Sequence, residues 1–259
     1  MAQSTSNTYI SPDFADILAH NQLDTFNTVW EKSIEWFEEP NQRRGGWSGV
    51  GRICLQNAGN NTQVFYLKKQ LNHGRRTWRH PIVGEPTFRR EFEHLQLLAA
   101  NHFAAPQVAF YAESTDKKTR YAVLMTAELT DYKDLAEIAI NELPVASYRQ
   151  KQQLIKEIAN EIKRFHNLGL MHRALYPKHI FVKNALTQPE IALIDLEKVR
   201  KNGDADERAV FDLSALNRHS EGFSHTQRLV FLNHYLQQTK LDIHSERLAY
   251  KILKRSNRD

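Results

Sequence analysis

The apolar run "IALIDLEKV" breaks off at Asp195, with Glu197 and Lys198 close behind it. A carboxylate at the end of a strand can hold a divalent metal together with bound phosphate; the same residue is also a common helix cap. Just upstream, "MHRALYPKHIFV" sets His172, Arg173 and His179 in a loop. Imidazole exchanges protons near neutral pH and ligates metals, and guanidinium holds anions; singly, each also reads as an ordinary core or surface residue. In the first half, "FYLKK" ends a strand on Lys68 and Lys69, and Glu91 follows on a helix, where it could pair with such a lysine and aim it at a phosphate. "GGWSGVG" reads as a glycine-rich loop between strands, in which Gly46, Gly49 and Gly51 would let backbone N–H groups approach phosphates. A plain tight turn is the other reading.

These residues need elements to position them. Two β-rich runs, around Val50–Leu55 and Val64–Leu71, flank "NAGNN" and predict a hairpin. "PTFRREFEHLQLLAANHF" predicts a helix with Phe88, Phe92, Leu95 and Leu98 on one face, and "PQVAFYAE" and "RYAVLMTAEL" predict two more strands. "YRQKQQLIKEIANEIKRFHNLG" predicts a long helix with Leu154, Ile158, Ile162 and Phe165 in one stripe, stopping at Gly169. "HIFVK" and "EIALID" are short strands, and helix signals alternate with polar links from about Glu207 onward. The start of the chain reads as one or two short helices, with Ser11-Pro12-Asp13 as a helix start and "DTFNTVWEKSIEWF" at near-helical spacing. The expected division is a helical extension over 1–40, a β-rich lobe over 41–128 and a helical lobe over 129–259, sharing a cleft.

Composition is that of an ordinary globular chain of 259 residues, 41% hydrophobic and 25% charged. The single cysteine, Cys54, permits no internal disulfide, and no run approaches the ~18 apolar residues of a membrane span. "MAQSTSNTYISPDF" lacks the pattern of a signal peptide, so a cytoplasmic protein is expected. The net charge of +5 is uneven: residues 41–90 hold ten Lys/Arg against one acid, Glu85. That surplus predicts a polyanionic partner, with Arg43/Arg44, Arg75/Arg76 and Arg89/Arg90 forming a basic face. A solvated surface is the alternative.

The order of parts is glycine-rich hairpin, strand lysine, helix glutamate, two strands, long helix, His-Arg loop, strand, and strand-end aspartate. It is the order of the protein-kinase template. The sequence resembles the lipopolysaccharide core kinase family (Kdo and heptose kinases, WaaP-like), and within it an InaA-like branch. The resemblance rests on "EEPNQRRGGWSGVGRICL", "VFYLKKQLNHGRRTWRHPIVGEPTFRREFEHLQLL", "LMHRALYPKHIFV", "ALIDLEKVR" and "DLSALNR", which span about Glu38 to Arg218.

The resemblance implies an α+β, bilobal protein-kinase-like fold with a β-rich N-lobe and a helical C-lobe. It implies use of ATP and Mg2+ to phosphorylate a sugar hydroxyl of lipopolysaccharide core, a lipid A precursor or another anionic envelope sugar. The implied place is the cytoplasm, with peripheral contact at the inner face of the inner membrane. By position, Lys68 would contact nucleotide phosphates with Glu91 as its partner. Met125 to Leu129, including Thr126 and Glu128, would border the adenine. Asp195 and His179 would hold magnesium, and His172, Arg173 and His179 would line the catalytic loop. Leu-Glu stands where Phe-Gly usually follows the aspartate, and Ala174 occupies the place of the catalytic aspartate.

A positioned general base contributes about 10²–10⁴-fold, whereas phosphoryl transfer depends mainly on positioning and charge stabilisation. An alanine there would cripple a site without necessarily silencing it. Ala174 is expected at the mouth of the cleft, where Asp would restore a base, with His172, His179 or Glu197 as substitutes. The competing reading is a pseudokinase that binds nucleotide or serves as a scaffold in envelope stress. Nucleic-acid binding lacks a recognition signature, and the twelve histidines show no His-Glu-x-x-His of a zinc hydrolase.

Overall fold

Residues 4–37, 39–43, 45–72, 74–75, 85–117 and 119–257 are described by a computed structural model. The chain forms two compact units, 1–129 and 130–259.

In the first unit, "RICLQ" and "VFYLK" alternate buried with less buried residues, as strands covered on one face do. Its elements are β1 (Ser4–Ile10), α1 (Ala15–His20), α2 (Phe26–Glu31), β2 (Glu35–Trp36), β3 (Asn41–Arg43), β4 (Gly46–Gln56), β5 (Thr62–Leu71), β6 (Gly74–Arg75), β7 (Glu85–Pro86), α3 (Thr87–Ala100), β8 (Val108–Asp116) and β9 (Thr119–Ala127). The main sheet is antiparallel in the order β1-β8-β9-β5-β4-β2, with β3 also on β4. The expected hairpin and strand pair are β4–β5 and β8–β9.

The start of the chain differs from the expected helical extension. β1 extends the sheet edge beside β8. Phe14, Leu18, Phe26 and Val29 are buried in one cluster with Phe65, Leu67, Phe110 and Met125. Residues 1–40 thus supply six of the sixteen buried side chains of that cluster, and "SIEWF" contributes a strand rather than a helix end.

The basic face expected over residues 41–90 also changes. Arg44, Arg76 and Arg79 lie outside the described residues, as do the side chains of Arg43 and Arg75. Arg89 binds Glu113 through both carboxylate oxygens (Nε to Oε1, 2.6 Å), and Arg52 reaches Glu128 at 3.1 Å. Those acids stand beyond residue 90, so a sequence window could not count them.

The second unit holds β10 (Lys133–Asp134), α4 (Leu135–Asn141), α5 (Tyr148–Asn167), β11 (Leu170–Met171), β12 (Ile180–Lys183), β13 (Glu190–Leu193), β14 (Arg200–Lys201), α6 (Ala205–Arg218), α7 (His225–Leu236) and α8 (Ile243–Ser256). Ser147 starts α5 with a capping box to Gln150. Gly169, at φ +73°, follows its end, in a conformation that glycine enters without Cβ strain. Leu154, Ile158, Ile162 and Phe165 are buried along the predicted stripe. A mainly apolar cavity of about 260 Å³ lies among these helices, lined in part by Ile158, Leu216, Phe231 and Ile252. Among the described residues no helix is long and apolar enough to cross a membrane.

Candidate functional site

In the first unit, strand alternation separates the two neighbouring lysines of "FYLKK". Lys68 Nζ lies 2.5 Å from Glu91 Oε1, and Glu91 is buried on the same side of α3 as Phe88, Leu95 and Leu98. Lys69 points to the opposite face, where its ammonium donates to the carbonyls of Trp30 (2.6 Å) and Lys32 (2.5 Å) at the end of α2. Burial pulls its pKa down to about 8. Only Lys68 therefore stands with a carboxylate in the arrangement the sequence suggested.

The glycines are placed differently from a loop. Gly45 turns the β3–β4 hairpin at φ +77°, but Gly46, Gly49 and Gly51 are residues of β4. A Cβ on Gly49 would lie 2.7 Å from the Trp36 ring, and one on Gly51 would lie 2.3 Å from the Glu35 carbonyl oxygen. At these two positions the missing side chains make room for β2 rather than leave open backbone. At the far end of β9, Thr126 is buried, and Glu128 accepts from Arg52 Nε and from the Tyr66 hydroxyl (3.2 Å).

In the second unit the loop from His172 to His179 is wired through its backbone. Asp212 on α6 is fully buried and accepts from the N–H groups of His172 (2.6 Å) and Arg173 (2.8 Å) and from His166 Nε2 (3.0 Å). These three donors satisfy a carboxylate that would otherwise be costly to bury. His166 Nδ1 shares a hydrogen with the Tyr235 hydroxyl at 2.7 Å. Arg173 sits at φ +67°, with its guanidinium 5.6 Å from the Phe211 ring centre. The strained backbone is held by Asp212 rather than by glycine.

Two expectations for this loop are corrected. His172 is fully buried: its Nδ1 accepts from Ala174 N (3.3 Å), so Nε2 carries the hydrogen it donates to Ile194 O (3.0 Å). Desolvation, opposed by Asp212 and Asp195, lowers its pKa and keeps the ring neutral. Both ring nitrogens are engaged within the protein, so the side chain braces the loop. Ala174 is also fully buried rather than at an open mouth.

The backbone of Ala174 has a second contact. Its carbonyl accepts from His179 Nδ1 at 2.8 Å, which fixes the tautomer and leaves the lone pair on Nε2. Asp195 Oδ2 lies 3.6 Å from His179 Nδ1, and the Asp195 side chain is 31% exposed. Asp195 takes a left-handed backbone (φ 59°, ψ 55°) where β13 gives way to a short turn. One accessible carboxylate beside one oriented imidazole, with no group of three or more His/Cys/Asp/Glu among the described residues, is not a closed protein cage for a metal. Asp195 faces the protonated Nδ1 side of the ring, so its accessible carboxylate is the metal donor this contact shows, and it fits an ion whose remaining ligands come mostly from phosphates and water.

Sequence reading missed Asp212 and Tyr235 as members of the site. The signal for Asp212 was a carboxylate inside the apolar stretch "VFDLSAL"; Tyr235, one turn-forming segment further on, had none.

The model of the lipopolysaccharide kinase (Kdo/WaaP) family matches residues 27–235. Protein InaA of Escherichia coli (strain K12) is 29% identical over 201 residues, covering 77% of this chain and 90% of that protein. A solved structure, WaaP in complex with acyl carrier protein, matches with a TM-score of 0.69 over 96% of this chain and 98% of that chain. At 18% identity that likeness carries the fold alone: α+β and protein-kinase-like, β-rich in its first half and helical in its second. With most of its length matched, from α2 to the end of α7, the chain belongs to the lipopolysaccharide kinase (Kdo/WaaP) family.

Proposed function

We propose that this protein is an ATP-dependent phosphotransferase acting on a sugar hydroxyl of bacterial lipopolysaccharide core. The observation that carries the reading is the Lys68–Glu91 ion pair in a chain that also sets Asp195 beside an oriented His179. Lys68, held straight by Glu91, binds nucleotide phosphate oxygens as a point charge. Thr126 and Glu128 would belong to the segment that borders the base, and the hairpin turn at Gly45, rather than Gly46, which packs against the backbone of Leu71 and Asn72, would approach the phosphates. Asp195 and His179 Nε2 would hold magnesium, which when bound neutralises charge on the phosphates. The bond from the γ-phosphorus to its bridging oxygen breaks as the sugar oxygen bonds to phosphorus. ADP leaves, and the hydroxyl proton passes to solvent. His172, Arg173 and Asp212 keep the loop in shape.

The test has two parts. Mg-ATP should raise the melting temperature by mass action, and Lys68→Met and Asp195→Ala should each remove most of that rise. Labelled phosphate should then pass from ATP to purified lipopolysaccharide core. An undiminished rise in both variants would sink the nucleotide assignment.

A second reading rests on Ala174. Position 174 supplies no carboxylate and its methyl group is enclosed, which favours a nucleotide-binding pseudokinase. Nucleotide binding without transfer to any lipopolysaccharide acceptor would decide for it. The matched WaaP is seen with acyl carrier protein, and a carrier protein is the first partner to try under either reading.

A further inference from the structure

Among the described residues of the second unit, α8 presents an exposed outer face. Its inner face, Ser245, Leu248, Ile252 and Ser256, is buried. Arg218 of α6 clamps its C-terminal end, donating to the carbonyls of Ser256 (3.0 Å) and Arg255 (2.9 Å). The helix is therefore held lengthwise on the second unit. Outward it carries three large apolar side chains: Ile243, 70% exposed, Tyr250, 64%, and Leu253, 53%. At about 100° per residue these fall within an arc of about 80°. Lys254, Arg247 and Lys251, all exposed, follow on the adjoining arc. Lys254 Nζ lies 6.0 Å from the centre of the Tyr250 ring. Glu246, exposed, falls inside the apolar arc between Tyr250 and Leu253, and Lys251 leans toward Asp206 at 4.0 Å. Leu229 of α7, 49% exposed, lines the same cavity as Leu253 and extends the apolar side.

We propose that the outer face of α8 docks this protein on an anionic lipid bilayer, with Ile243, Tyr250 and Leu253 entering the interface and Arg247, Lys251 and Lys254 meeting lipid phosphates. An apolar arc interrupted by one acid, Glu246, and flanked by three cations is the composition of a helix that lies in the plane of an anionic membrane surface. An acidic protein would satisfy the cations. It would, however, need a matching groove for three protruding apolar side chains, whereas a bilayer accepts them without shape complementarity. The inference deepens the proposed function, since a lipid-linked acceptor lies at such a surface. It does not depend on catalysis.

The test is co-sedimentation of the full chain with mixed phosphatidylglycerol–phosphatidylethanolamine vesicles, alongside pure phosphatidylcholine vesicles, without nucleotide. The wild type should bind the anionic vesicles and release them as salt rises. Each cation at the surface is worth about five-fold in affinity, so Arg247→Glu/Lys254→Glu should lose about 25-fold or more. Tyr250→Ser/Leu253→Ser should lose about ten-fold or more at any salt. All four substituted positions are exposed, and unchanged melting of the variants excludes misfolding. Binding within two-fold of wild type in both double variants overturns the proposal. So does equal binding to phosphatidylcholine, or self-association or capture of an acidic protein that uses this face without vesicle binding. Mg-ATP stabilisation is read separately, so failure here leaves the phosphotransferase reading to its own test.

Discussion

Ala174 does its work with its main chain. Its N–H meets His172 and its carbonyl orients His179, so the residue type matters to the loop only by being small enough to enclose. An aspartate would place a carboxylate in a fully buried position with no cation beside it among the described contacts. Ala174→Asp should therefore cost about 3 kcal/mol or more and should not increase phosphate transfer; urea unfolding and ATP turnover measure the two. Asp212 is the opposite case, a side chain that backbone and imidazole donors converge upon. Asp212→Asn turns one accepting oxygen into a donor facing other donors and should cost about 2–4 kcal/mol. Loss of turnover should exceed the loss expected from the unfolded fraction. Neither residue's role could be read from spacing. A motif displays which side chains stand in order, and here the decisive contacts are a peptide group and a carboxylate forty residues on.

At the scale of elements, β5 explains why two adjacent lysines have different tasks. Period two sends Lys68 to Glu91 and Lys69 under the end of α2, a distinction "FYLKK" cannot carry until the covered face is known. Lys69 gives a pH test. Its folded pKa, about 8, lies below the unfolded lysine value of 10.5. Unfolding therefore takes up protons between these values, and its contribution makes stability rise with pH across that window. Comparing wild type with Lys69→Met at pH 7.5 and 10 by chemical unfolding should show the smaller rise, or larger fall, in the variant. β4 supplies another. Gly51→Ala meets a backbone carbonyl at 2.3 Å, whereas Gly49→Ala meets a side-chain ring at 2.7 Å that can turn aside. Both should destabilise, by about 1–3 kcal/mol, with Gly51→Ala the worse.

For the whole molecule, the strands, long helices and their order were legible because each rests on local periodicity. The pattern becomes mostly helical after Leu129, where the two compact units also divide. β1 was not legible: "STSNTYI" carries no alternation strong enough to stand out, and pairing with β8 makes it a strand. The charge surplus is smaller where the structure describes it, since Arg52, Lys68 and Arg89 meet acids beyond the window that counted them. An electrostatic partner should then depend less on this segment than its surplus suggests. Arg90→Glu should alter affinity for anionic vesicles by less than about two-fold, while Lys254→Glu should lower it about five-fold or more; the same sedimentation assay compares them.

The enclosed phenols carry one more consequence. Burial raises the pKa of both Tyr111, which donates to Glu113, and Tyr235, which sits against His166. In an alkaline titration these two phenols should turn to tyrosinate only when the fold gives way. The near-ultraviolet absorbance of the protein should thus include a step at unfolding, a colourless indicator built into the chain that reports its own unfolding without any added dye.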